Sequence, residues 1–211
     1  MEAFSHLVTT PQLLALAAAL GWASGVRLYA AVFLTGMAGY LGFIDLPAGL
    51  QVLQHPGVLA ASGFMCIVEF FADKIPLVDT VWDTIHTLIR IPAGAALAAG
   101  ALGADNQTMG WVAALLGGSL AATSHAAKLT TRAAVNTSPE PFSNIAVSLF
   151  EDGFVVFMLW LSATHPAIFA IALVLTLVVA VLLMVVLIKF LRVVIARLRE
   201  FFAARRSSQG S

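Results

Sequence analysis

Asp79, Asp83, His86 and Arg90 follow one another at steps of four, three and four residues, so a helix carries all four on one face. Around them the chain is mostly hydrocarbon: 60% of its 211 residues are hydrophobic, 10% are charged, and the mean hydropathy is +0.95. In water such a stripe is a solvated surface. At bilayer depth a carboxylate costs roughly 2.5–3.5 kcal/mol unless it is paired or wetted. Three further clusters share this character. Glu69 and Asp73 stand one turn apart and run into Lys74; His125, Lys128 and Arg132 share a face beside Ser124; and Asn144, Ser148 and Asp152 align next to Glu151. With Arg27 these clusters hold six acids, five bases and two histidines.

Near balance of charge allows structural ion pairs between helices. Small residues join helices in lipid more cheaply, however, so a network of this size points to a polar cavity with a task. Paired helical carboxylates suit a hard cation or a proton relay. On that reading Glu69, Asp73, Asp79, Asp83, Glu151 and Asp152 are the ion sites, and His86 is the relay that titrates near neutral pH. Arg27, Lys74, Arg90, His125, Lys128 and Arg132 are the charge partners, with Ser24, Asn144 and Ser148 as polar lining. A divalent cation held by Glu69, Asp73, Asp79 and Asp83 is the one cofactor this inventory suits. The single cysteine, Cys66, and the histidine spacing argue against zinc. Arg27, Lys128 and Arg132 could instead receive a lipid or polyprenyl phosphate, which would make the protein a flippase or scramblase. A structural scaffold and a metal-assisted phosphohydrolase complete the alternatives; the enzymatic one ranks last, since no phosphatase motif is present.

The elements that must position these residues are membrane helices. Ala167–Ile188 carries no charge and exceeds the roughly 20 residues of a crossing. The expected fold is all-α and integral to the membrane, with six spans near 12–42, 56–73, 80–102, 109–131, 142–164 and 166–195. Residues 1–191 form one membrane domain, and 192–211 a basic amphipathic tail on anionic lipid. The stretch before Leu13 lacks Lys and Arg, unlike a cleaved leader. Six of the eleven Lys and Arg residues follow Ile188, and the expected outer connections near 43–55, 103–108 and 164–166 have none. With Lys74, Lys128 and Arg132 inside, both termini are expected to be cytoplasmic in a bacterial inner membrane. The first span is longer than one crossing requires. It is either broken near Gly21–Gly25 beside a binding site or tilted and continuous. Pro92 and Gly94 mark a second point where a new or re-entrant helix could start. Ala23–Arg27 and Thr123–Lys128, each followed by an acidic helix, hint at a weak inverted repeat. The expected partners are membrane lipids and a small ion or polar solute, with no nucleic acid. Small-residue faces would also permit a homodimer.

Val68–Pro76 (VEFFADKIP), Asp79–His86 (DTVWDTIH), Ile91–Gly94 (IPAG) and Gly25–Arg27 (GVR) resemble the membrane family known as domain of unknown function 4126, over most of the chain up to about Ala163. That resemblance implies a compact multi-span membrane protein and no particular activity. Glu69, Asp73 and Lys74 are also similar to the Glu-x-Gly-Asp-Lys signature of calcium/manganese–proton exchangers. Ala72 stands at the glycine, Ile75 at the hydroxyl residue, and one extra residue follows the Glu. The expectation is a small proton- or cation-coupled transporter.

Overall fold

The computed structural model describes residues 10–103, 107–137 and 141–207, without the side chains of Pro141, Leu198 and 201–207. The turn at 138–140, much of that at 103–106, and the apolar side of the tail lie outside the described residues. Among the described residues every regular element is a helix: α1 Thr10–Tyr40, a 3₁₀ segment Ala48–Gln54, α2 Pro56–Ala72, α3 Val78–Leu102, α4 Gln107–Val135, α5 Pro141–Thr164 and α6 Pro166–Ser207. Prolines open α2, α5 and α6, where the missing N–H costs nothing and φ is already set. Asp73 caps the end of α2, its backbone N–H on the Glu69 carbonyl.

Four helices are long and apolar enough to cross a membrane: Thr10–Tyr40, Val78–Leu102, Phe142–Thr164 and Pro166–Arg197. The 3₁₀ segment and α2, bent by 69°, make a fifth if taken together. Four to five candidate crossings therefore stand against the six expected. α4 is not among them; its buried face carries Ser124, His125, Lys128 and Arg132 beside Ala113, Gly117 and Ala121. Pro92 does not start a new helix; α3 runs through it to Leu102.

α1 is broken, at Arg27, whose φ of −144° and ψ of 75° are not helical. Close contacts fix where its two arms go. Along the first, a Cβ added to Gly21 would press on Gly117, one on Gly25 would meet Ala121 and Ser124, and Lys128 reaches the Val26 carbonyl. The arm thus descends parallel to α4. Along the second, Tyr29 touches His86, Phe33 faces Gly63, Gly36 faces Leu53 and Leu59, and Gly39 faces Gln54. Gly49, in the 3₁₀ segment that follows, lies against Gly100 near the end of α3. Both arms therefore lead to the same end of the bundle, and α1 is a hairpin with Arg27 at its tip. Thr10 lies at that end, opposite the far end of α6. α4, by contrast, runs unbroken through Thr123–Lys128, so the two halves do not share this break.

The hairpin is the core. Ala19, Leu20 and Ala23 have no exposed surface, and the arms touch every other helix and the 3₁₀ segment. α1, α3 and α4 cross at Gly21, Gly94 and Gly117, where the absence of side chains brings backbones together. α6 is the reverse. Only Phe169 and Leu173 are buried among its described side chains, and Val174 to Ile195 present a largely apolar, exposed surface suited to lipid.

Candidate functional site

A helix break leaves carbonyls without their intrahelical donors, and in an apolar interior each must find another. At the tip of α1, basic side chains supply them. Arg90 Nη1 donates to the carbonyls of Gly25 (3.3 Å) and Val26 (3.2 Å), Lys128 Nζ to that of Val26 (3.2 Å), and His125 Nδ1 lies 3.1 Å from that of Gly25. Cations at the C-terminal end of the first arm also oppose its dipole. Two hydroxyls hold the arm in register, Ser124 Oγ on the Trp22 carbonyl (2.7 Å) and Ser24 Oγ on the Arg90 carbonyl (2.6 Å).

The same bases tie the acids into one continuous network. Arg90 Nη2 reaches Glu69 Oε1 at 2.6 Å and Asp83 Oδ1 at 2.9 Å. Lys128 Nζ lies 3.1 Å from Asp83 Oδ1 and 2.6 Å from Asp73 Oδ2. Asp73 then pairs with Arg27, which extends to Asp152 (3.0 Å), Ser148 Oγ (3.0 Å) and Glu151 (3.6 Å). Lys74 joins Asp152 and Ser148, each at 3.2 Å. Arg132 binds Glu151 Oε2 at 2.5 Å and Asn144 Oδ1, and lies 4.0 Å from Asp79. Glu69, Asp73, Asp83, Arg27, Arg90, Lys128 and Arg132 are almost wholly buried. Charges so deep are stabilised by alternating partners, and removing one strands its neighbours.

Counted at formal charges with histidine neutral, the six acids and five bases of these clusters leave one carboxylate in excess. Glu69 Oε2, Asp73 Oδ1 and Asp83 Oδ2 are buried without a protein hydrogen-bond partner. Protonating any of them would convert an acceptor into a donor and remove the excess charge.

The clusters expected from the sequence thus converge, but two roles differ. Among the described residues no three of His, Cys, Asp and Glu gather to hold a metal ion. Asp73 and Asp83 are claimed by lysine and arginine, Glu69 by Arg90, and Asp79, at the edge of the network 4.0 Å from Arg132, accepts from Asn136 Nδ2 (3.0 Å). The divalent site on these four acids is not assembled, because each carboxylate already has a cationic or amide donor. His86 also stands outside the network. It stacks on Trp82 at 4.0 Å, with Nδ1 on the Trp82 carbonyl (2.7 Å) and Nε2 on Tyr29 Oη (3.1 Å). His125 is the imidazole beside the ions, its Nε2 2.7 Å from Thr87 Oγ1 and its Nδ1 3.4 Å from Arg90. Thr87 and Asn136 belong to the site too. Each is four residues beyond an acknowledged member, Asp83 and Arg132, so helical periodicity could have found them. Nothing in the sequence signals Tyr29.

A family model described as a domain of unknown function (DUF4126) matches residues 14–186. No curated protein and no solved structure matches the chain.

Proposed function

The chain belongs to the DUF4126 family, whose description assigns no activity, and from its geometry we propose that it is a small proton-coupled membrane transporter. One observation carries this reading: a buried network with one carboxylate in excess, built around the tip of a broken helix. Broken helices that bring free carbonyls and charged side chains to depth are the usual form of transporter binding sites. An excess of one charge matches a proton, and three unpartnered carboxylate oxygens give it places to rest. Asp83 is central, because its carboxylate joins Arg90 to Lys128, while Thr87, which donates to the Asp83 backbone carbonyl, lies 2.7 Å from His125. In liposomes with an internal pH dye, Asp83→Asn is expected to reduce proton flux at least about tenfold, while the protein remains folded because Arg90 keeps Glu69 and Lys128 keeps Asp73. Unchanged flux in that variant removes Asp83, and with it the relay, from the function.

In this reading the bent 3₁₀–α2 pair and α3 to α6 make five crossings, and α1 enters and leaves from one side. Lys74 and the basic residues beyond Ile188 share the opposite end of the bundle, which the positive-inside rule assigns to the cytoplasm. The chain then resides in a cytoplasmic-type membrane with Thr10 facing outward, in place of two cytoplasmic termini. An epitope tag ahead of Thr10 is expected to be cleaved by protease added to intact spheroplasts, and a C-terminal tag to be protected. Protection of both tags would rule out the outward-facing start.

A further inference from the structure

Beside the ionic network, α1, α4, α5 and α6 line an open-sided cavity of about 380 Å³, within the range of small-molecule sites. Its walls are apolar and partly aromatic. Phe150 and Phe154 stack at 5.5 Å, and Trp22 meets Phe154 edge-on at 5.5 Å. Leu175, Val179 and Leu183 of the exposed helix α6 form the side nearest lipid. Two charged residues line it, and they are not equivalent. Lys128 directs its ammonium to Asp73, Asp83 and the Val26 carbonyl, so all three donors are engaged within the network and its stem is what meets the cavity. Glu151 is 12% exposed, and both its arginine partners approach the same oxygen, Oε2. Its other oxygen is held by no described residue.

An apolar groove open along α6, faced by aromatic rings and by a carboxylate whose Oε1 neither Arg27 nor Arg132 takes, has the chemistry of a site for a bulky organic cation. We propose that it binds lipophilic cations, quaternary ammonium or phosphonium compounds, with their apolar groups against α6 and their charge between Glu151 and the Trp22/Phe154 faces. This deepens the transport reading and rests on it for coupling. A cation at Glu151 competes with Arg132 and Arg27 for that carboxylate, and its charge offsets the same excess that a proton would.

The test is equilibrium dialysis of tetraphenylphosphonium against the full-length protein in detergent. Saturable binding at one site is expected, weakened at least about tenfold by Glu151→Gln. Ala180→Trp, which fills the cavity from α6 without touching an ion pair, is expected to weaken it equally. Non-saturable binding, or affinity unchanged in both variants, overturns the proposal. So does tighter binding of dodecyl phosphate than of the phosphonium. The proton-flux assay contains no organic cation, so the two readings fail separately. Flux lost in Asp83→Asn without phosphonium binding sinks only the substrate class, and binding without Asp83-dependent flux sinks only the transport reading.

Discussion

Arg27→Met is expected to be the most destabilising single charge removal in this protein, by about 3–5 kcal/mol. Arg27 pairs with Asp73, holds Asp152 at 3.0 Å, and approaches Glu151 at 3.6 Å. Methionine retains much of the volume, so the cost is electrostatic. The network goes from one unmatched carboxylate to two, and the hairpin tip loses the side chain that fastens it to α2 and α5. Arg27→Lys is expected to recover part of the loss, since an ammonium can take Asp73 but cannot also fork to Ser148 and Asp152. The measurement is the midpoint of thermal unfolding in detergent. A midpoint in Arg27→Met within error of the parent would mean that these charges are hydrated and that the network is not a buried one.

The second large effect is steric. A Cβ on Gly25 would lie 2.9 Å from the His125 backbone nitrogen and closer still to the Ala121 carbonyl and Ser124 Oγ. Two of those are backbone atoms and cannot rotate away. Gly25→Val must therefore separate the first arm of α1 from α4, breaking the contacts that Arg90, His125 and Lys128 make with the tip carbonyls. The loss is expected to exceed the roughly 1–3 kcal/mol of ordinary overpacking, because buried donors and acceptors are left unpaired as well. Gly153→Ala is the matched control. A Cβ there meets nothing within 4 Å, and exchanging glycine for alanine within a helix favours it by about 1 kcal/mol. Equal stability of the two variants would show that the α1–α4 crossing is not tight.

Every expected span of the sequence coincides with a helix to within a few residues at its start, and the acids and bases of each cluster share a helix face as their spacing implies. Both follow from local rules. Hydrocarbon runs of this length must be helical in lipid, and side chains four apart share a face wherever the helix is placed. The gathering of the four clusters was also implied, since charges in an apolar chain must find each other. Pairing was not. Asp83 and Arg90 share a face of α3, yet Glu69 on α2 takes the shorter bond to that guanidinium. His86 and His125 look equivalent along the chain, and one lies against a tryptophan while the other stands beside the ions. The largest departure is α1. Its length and its Gly-rich centre fit both a tilted rod and a broken helix, and the sequence by itself determined only that something unusual happens between Gly21 and Arg27. That the helix folds back there was decided by the tertiary structure. Carbonyls freed at a break are tolerated in lipid only where donors are already waiting, and those donors, Arg90, His125 and Lys128, arrive from helices sixty to a hundred residues away.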